Sequence, residues 1–107
     1  MSAFFARIVA LVKAGDVLIT RHGYHRLAKE GITVEDILGG IEQGIVVEEY
    51  PTYYKGPCVL VLQKDKQGKP IHVVWGIPKH ANGPAVVVTA YRPDPTRWDA
   101  SFRRRKK

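Results

Sequence analysis

Hydrophobic positions change their spacing near residue 45, and this change divides the chain into a helical part and a strand part. Before residue 45 the apolar residues recur every three or four positions, as on one face of a helix. In residues 3 to 14 the apolar face of a first helix is made by Phe4, Ile8, Leu11 and Val12. Gly15 can end that helix. The following segment DVLIT, residues 16 to 20, fits either a short strand or an extended connector.

Two further helices are predicted before the change of spacing. The segment RHGYHRLAKE, residues 21 to 30, is amphipathic, and Gly31 is its expected C-terminal stop. Thr33 then begins a third helix with an approximate capping box, in which Asp36 takes the place usual for Glu or Gln. Gly44 closes that helix. Its core face is predicted to hold Val34, Ile37, Leu38 and Ile41.

Four β-rich runs occupy the second part of the chain: IVVEEY, PCVLVLQ, PIHVVWG and AVVVTAY. The connections KDKQGKP and IPKHANGP are short, which favours an antiparallel meander. Helices followed by strands indicate an α+β fold, with N-terminal helices packed on a four-stranded antiparallel sheet. We expect a single domain over residues 1–107, with an extra N-terminal helix at 1–15 and a mobile basic tail at 100–107.

Composition narrows the class of protein. The chain has 107 residues, 45% of them hydrophobic, which is typical of a globular domain. Its net charge of +7 favours an anionic partner, although such a charge can also serve solubility alone. Cys58 is the single cysteine, so an internal disulfide and a thiolate metal cluster are excluded. The N-terminal apolar stretch is broken by Arg7 and is too short to span a membrane, so we expect a cytoplasmic protein that does not contact a membrane.

The second predicted helix carries a basic stripe. At helical spacing, one stripe contains His22, His25, Arg26 and Lys29, and the opposite stripe, expected to pack on the sheet, contains Tyr24, Leu27 and Ala28. A solvated helix face would explain the charges, but histidine can also exchange protons near neutral pH. His22 and His25 could chelate a metal, yet no third ligand lies at a recognised spacing. We therefore expect neither a metal nor another cofactor.

A second group of candidates lies on the last two predicted strands. Alternation places His72 on the opposite face from Ile71, Val73 and Trp75, and it places Val87, Thr89 and Tyr91 on one shared face. If a hairpin near residue 80 or 81 pairs these strands, His72 lies beside Thr89 or Tyr91, on the side facing the second helix. The alternative for His72 is a half-buried histidine whose hydrogen bonds are satisfied by a neighbouring hydroxyl.

These residue types suit the cleavage of RNA without a metal. That reaction needs a base for the ribose 2′-hydroxyl, an acid for the leaving oxygen and cations for the phosphorane. The candidate catalytic residues are His22, His72 and Tyr91. The candidate RNA-binding residues are Arg21, His25, Arg26, Lys29, Thr89 and Arg92. The same set also suits RNA binding without turnover.

Two motifs resemble a bacterial family known as domain of unknown function 4258. They are HGYHRLAKEGITVEDI, which starts at His22, and TAYRPD, which starts at Thr89. Arg26 and Tyr91 also match the family pattern, whereas His25 does not, and Glu30 stands where the pattern has arginine. The resemblance implies the barnase/EndoU/RelE-like fold of metal-independent ribonucleases and toxins, with RNA as substrate and, as in some relatives, a small acidic antitoxin as partner. We therefore expect a RelE-like endoribonuclease that is either a toxin of a toxin–antitoxin system or an RNA-processing domain. The alternative is a non-catalytic RNA-binding or protein-interaction module on the same fold.

Overall fold

Three helices and five strands follow one another along residues 2–106, the part of the chain that the computed structural model describes. In chain order they are α1 (Ala3–Lys13), β1 (Val17–Ile19), α2 (Arg21–Glu30), α3 (Val34–Gly40), β2 (Ile45–Tyr50), β3 (Cys58–Lys64), β4 (Pro70–Gly76) and β5 (Ala85–Tyr91). The α+β class predicted from the sequence is confirmed. No helix among these residues is long and apolar enough to cross a membrane.

Local signals set the ends of α2 and α3. The Thr20 hydroxyl accepts a hydrogen bond from the main chain and caps α2, and Gly31 ends that helix in the left-handed region at a φ of 67°. Thr33 and Asp36 form the predicted capping box, with each side chain accepting a hydrogen bond from the other's backbone N–H. These contacts satisfy main-chain donors that a helix leaves without partners at its first turn.

The sheet has five strands in the order β1-β5-β4-β3-β2. Strands β2 to β5 form the predicted antiparallel meander, but β1 adds to the free edge of β5 in parallel, with Val17 opposite Ala85 and Ile19 opposite Val87. The four predicted antiparallel strands are therefore present, but the sheet has a fifth strand, β1, which the prediction of four did not include and which runs parallel to its neighbour. With three residues, β1 is too short for an alternation pattern to identify it.

All three helices pack on one face of the sheet. Their buried residues Phe5, Ile8, Leu27, Ile37 and Ile41 form one core with inward residues of the central strands, among them Val61, Val73 and Trp75. Leu38 and Tyr24, predicted to lie in the core, are 37% and 56% exposed, and Ala28 is exposed as well. On α2 the buried face is made by Gly23 and Leu27. A Cβ on Gly23 would lie 2.9 Å from the carbonyl oxygen of Val87, so α2 approaches β5 through its glycine and turns Tyr24 outward.

A bulge in β5 changes which of its side chains share a face. Val74 pairs with Thr89, but the next residue, Trp75, pairs with Val87, so Val88 is an extra residue in the strand. Val87 consequently lies in the helix-covered core, whereas Thr89 lies on the other side of the sheet. The predicted shared face of Val87, Thr89 and Tyr91 is wrong for Val87. We call the side of the sheet opposite the helices the open face.

The chain after β5 folds back over part of the open face. Residues 98–105, here called the C-terminal strap, begin with the buried Trp98 and end with Arg105, which bridges back to Trp98. The N–H of Asp99 donates to the Arg104 carbonyl at 2.9 Å, and the N–H of Lys106 donates to the Arg97 carbonyl at 2.8 Å. The predicted basic tail, 100–107, thus contacts the sheet through Phe102 and Arg105. Its mobility stays a prediction, and residue 107 lies outside the described residues.

Candidate functional site

Helix α2 is fixed to the bulge of β5 by Thr20, the N-cap residue that precedes it. The Thr20 hydroxyl accepts a hydrogen bond from Gly23 N at 2.8 Å and donates to the Val88 carbonyl at 3.1 Å. One threonine therefore caps the helix and ties it to the strand, which places His22 at the edge of the open face beside Thr89. The rest of the predicted basic stripe is exposed or half-buried, as the sequence predicts.

Two neighbouring cavities lie along α2 and β5. The first, here called the His22 cavity, has a volume of about 450 Å³, and both His22 and Thr89 line it. The second, here called the Tyr91 cleft, has a volume of about 320 Å³, and Arg26 and Tyr91 line it. Four residues along a helix advance by about 6 Å, and two residues along a strand by almost 7 Å. The distance from His22 to Arg26 along α2 is thus similar to the distance from Thr89 to Tyr91 along β5, and the helix and the strand each contribute to both cavities.

The Tyr91 cleft is rich in guanidinium groups, contributed by Arg26, Arg92, Arg97 and Arg105. Three of them pair with carboxylates, at distances of 3.9 Å (Arg26 to Glu30), 2.9 Å (Arg92 to Asp65) and 2.8 Å (Arg105 to Glu48). Arg97 has no ion pair among the described residues, and Asp94 adds one carboxylate to the lining. The pairs orient the guanidinium groups and also neutralise much of their charge locally.

His72 lies behind Tyr91 and is fully buried. Its Nε2 is 2.8 Å from the carbonyl oxygen of Phe102, and its Nδ1 is 3.3 Å from the Tyr91 hydroxyl. Because a carbonyl can only accept, we infer that Nε2 carries the hydrogen and that Nδ1 accepts from Tyr91. Burial lowers the pKa of His72, which favours this neutral form. The Trp98 ring, 4.6 Å away between centroids, covers the imidazole edge-on.

The position of His72 agrees with one part of the prediction and contradicts another. His72 pairs directly with Tyr91 in the sheet, as expected, whereas Thr89 pairs with Val74. Both His72 and Tyr91 point to the open face, away from the core that Ile71 shares with the helices, so the predicted side facing α2 is wrong. The reason is strand alternation: the helices cover the face that holds the larger apolar side chains, and His72 lies on the other.

The remaining predicted residues divide between two surfaces. Arg92 joins Arg26 in the Tyr91 cleft. Arg21 and His25 line a separate shallow depression beside Tyr24, and Lys29 is exposed without lining either cavity. The structure therefore brings His22 and Thr89 together, and Arg26, Tyr91 and Arg92 together, but it does not bring His25 to either group.

An ion-paired group on the open face was missed by reasoning from the sequence. Arg105 donates from Nε to Glu48 Oε2 at 2.8 Å and from a terminal nitrogen to Oε1 at 3.1 Å, and the Tyr50 hydroxyl donates to the same carboxylate. The hydrogen bond from Arg105 lowers the pKa of Glu48, and burial raises the pKa of Tyr50 to about 12. No sequence signal connects Glu48 with an arginine 57 positions away.

An aromatic loop beside the His22 cavity was also missed. Tyr53 and Tyr54 are 42% and 70% exposed, their ring centroids are 4.9 Å apart, and Lys55 Nζ lies 5.7 Å from the Tyr54 ring centroid. The signal was present in PTYYKGP, in which two tyrosines and a lysine stand between prolines. Tyr53 and Lys55 line the His22 cavity and Tyr54 does not. An exposed aromatic ring and a cation at one cavity are typical of a surface that binds single-stranded nucleic acid.

The comparisons with known proteins give one match. A family model described as a domain of unknown function (DUF4258) matches residues 19–92, from the end of β1 to the residue after β5. No curated protein and no solved structure matches the chain. The matched region contains α2, Thr89 and Tyr91, while α1 and the C-terminal strap lie outside it. Among residues 2–106, no cluster of three or more His, Cys, Asp or Glu side chains is arranged to hold a metal ion.

Proposed function

The chain belongs to the family described as domain of unknown function DUF4258, and from the geometry of its site we propose that it is a metal-independent endoribonuclease. One observation carries this proposal: the Tyr91 hydroxyl contacts a buried histidine within a cleft lined by arginines. His22 lies one helical turn before Arg26 of that cleft. Helices on one face of an antiparallel meander support a RelE-like arrangement, to which β1 adds a strand.

The proposed base is the pair of Tyr91 and His72. Burial raises the pKa of Tyr91, so its hydroxyl remains protonated near neutral pH and donates to His72 Nδ1. The phenolic oxygen then accepts the proton of the RNA 2′-hydroxyl while its own proton passes to Nδ1. Burial and the Arg105 charge lower the pKa of His72 and oppose the imidazolium formed in this step, while the Phe102 carbonyl at Nε2 and the Glu48 charge favour it. His72 is therefore a base that holds the proton only transiently.

The proposed acid is His22. As the 2′-oxygen bonds to phosphorus, the bond from phosphorus to the 5′-oxygen breaks, and the leaving oxygen takes a proton from the imidazolium of His22. The two proton transfers balance, since His72 gains one proton and His22 loses one. His22 is exposed and regains its proton from solvent, and the buried His72 returns its proton through the Tyr91 hydroxyl to the cleft, which completes the cycle.

Positive charge for the phosphorane comes from the cleft arginines. Arg97 is the lining cation without a carboxylate partner among the described residues. Arg92 and Arg26 keep N–H groups beyond those used by their carboxylate partners, because each guanidinium has five. Guanidinium groups whose positions are fixed before the reaction stabilise developing charge without reorganising.

A specific observation favours a second candidate, an RNA-binding module without turnover. His72 is fully buried, and both of its ring nitrogens already have partners, one of them on the C-terminal strap. In this arrangement the histidine acts only as a support for Tyr91. Either function would operate where RNA is present, so we propose a cytoplasmic location, and a small acidic antitoxin is the partner that a toxin would have.

A cleavage assay with matched variants tests the proposal. A single-stranded RNA of mixed sequence is incubated with the protein in EDTA, and binding and circular dichroism are measured in parallel. We expect His22→Ala and Tyr91→Phe each to lower the cleavage rate about a hundredfold or more, with RNA affinity nearly unchanged. His25→Ala is the matched control and should lose less than about tenfold, well below the loss of a general acid or base.

The outcomes separate the two candidates. Binding by the wild type without cleavage of any RNA would exclude the ribonuclease and leave the binding module. Cleavage by the His22→Ala variant at the wild-type rate would remove that residue from the mechanism. Absence of RNA binding by the folded wild-type protein would exclude both functions.

A further inference from the structure

The floor of the His22 cavity is a row of small residues across the open face. Cys58 pairs with Gly76 on the next strand, and Gly76 pairs with Val86 on the strand after that. Gly76 contributes only main chain to this row, and its neighbours close over it, since a Cβ there would lie 3.1 Å from Cys58 Sγ and 3.2 Å from the Pro57 carbonyl oxygen. The floor of the depression is therefore formed by these atoms together with the glycine. The depression is apolar, since Val86, Val88 and Ile77 add to its lining.

Polar and aromatic groups lie in the lining of the same cavity. His22 and Thr89 line it on the side of α2 and β5, and Tyr53 and Lys55 line it on the side of the loop after β2. That loop is tied to the connection between β4 and β5, because the Lys79 N–H donates to the Lys55 carbonyl at 3.0 Å. The cavity thus combines an apolar floor, one aromatic ring and a few hydrogen-bonding groups, which is the usual composition of a small-ligand site.

The adjoining Tyr91 cleft identifies the kind of ligand. Thr89 and Tyr91 are two residues apart on β5, and each lines one of the two cavities. Thr89 lies about 7 Å from Tyr91 along β5, so a strand of RNA with a phosphate among the cleft arginines can bring a neighbouring base to Thr89. Unpaired bases in RNA complexes stack on aromatic side chains and hydrogen-bond through their edges.

We propose that the His22 cavity binds one unpaired nucleobase of the RNA strand whose phosphate lies in the Tyr91 cleft. This inference rests on the proposed function, because it assumes that RNA is the ligand. The base lies on the row formed by Cys58, Gly76 and Val86 and contacts the Tyr53 ring at its edge. It makes the protein selective for single-stranded RNA, since a base held in a duplex cannot enter the cavity.

The experiment compares two fluorescent probes: a single-stranded RNA of ten mixed nucleotides, and the same ribose-phosphate backbone without its central bases. We expect the wild type to bind the base-carrying probe about tenfold more tightly or better. Val86→Phe places a ring in the His22 cavity beside Gly76 and suits a strand, so it should remove that preference while leaving affinity for the abasic probe unchanged. Tyr53→Ala should reduce the preference in part, and Tyr54→Ala, which changes a residue outside the lining, is its matched control.

Some outcomes test only whether the His22 cavity binds a base, and others test whether the protein binds RNA at all. Preference lost in Val86→Phe and reduced in Tyr53→Ala, but kept in Tyr54→Ala, supports the base-binding cavity. If Val86→Phe does not fold, the pair of loop variants gives the same decision. Equal affinity of the wild type for both probes, or an unchanged preference in Val86→Phe and Tyr53→Ala, overturns the cavity while RNA binding stands. Binding of neither probe overturns the proposed function and the cavity together.

Discussion

Replacing Trp98 by alanine tests whether the C-terminal strap controls the environment of His72. Trp98 is 3% exposed, covers the imidazole edge-on at 4.6 Å, and carries the Arg105 guanidinium 4.6 Å above its ring. Truncation of a buried tryptophan costs about 3–5 kcal/mol. Trp98 lies on a strap that can collapse into the space, so we expect the lower end, about 3 kcal/mol. A small domain is stable by about 5–15 kcal/mol, so the variant should still fold.

The same substitution should change the pKa of His72. Burial is the first cause of its lowered pKa, and removal of Trp98 admits water to the ring, so the pKa should rise towards the ordinary value for histidine. The assays are urea denaturation and an NMR titration of the His72 ring protons, with Arg97→Ala, an exposed neighbour in the chain, as the control. A loss of stability below about 1 kcal/mol together with an unchanged pKa would refute the idea that the strap covers His72.

Three further predictions concern stability and binding. Gln63→Leu should lower the free energy of unfolding, measured by urea denaturation, by about 2–5 kcal/mol, and a decrease under about 1 kcal/mol would contradict the prediction. The reason is that Gln63 accepts a hydrogen bond from the Trp75 indole and donates one to a carbonyl of α3, each at 2.8 Å, and both groups would stay buried without this partner. Because the pKa of His72 is lowered in the folded protein, the unfolded chain takes up a proton on this histidine before the folded protein does as the pH falls below about 6.5. The stability of the wild type should therefore decrease from pH 7 to pH 5 more steeply than that of His72→Gln, and equal slopes would contradict this. Arg103 and Arg104 are exposed, and replacing both by serine should lower the slope of log affinity for RNA against log salt concentration by up to about 1.4. This is roughly 0.7 for each phosphate that is no longer neutralised, and an unchanged slope would mean that these arginines serve solubility alone.

The sequence determined the elements whose signals are local. Gly31 and the pair of Thr33 and Asp36 predicted one helix end and the next helix start, because a cap is a contact among residues within one turn. The four runs after residue 45 predicted β2 to β5 within one or two residues, since alternation is a property of each strand alone. That His72 lies beside Tyr91 was predicted as one of two possible neighbours, because the short connection between β4 and β5 limits how these strands can pair.

The tertiary structure alone decided which groups meet across long loops and on which side of the sheet. The bulge at Val88 reversed the face of Val87, and a pattern of alternating residues does not show where an extra residue enters a strand. Parallel pairing of β1 with β5, the Phe102 carbonyl on His72 and Arg105 on Glu48 join positions that are far apart in the chain. Such contacts depend on how the whole core closes: burying the helices against one face leaves the other face to the strap, and no short stretch of sequence contains that choice.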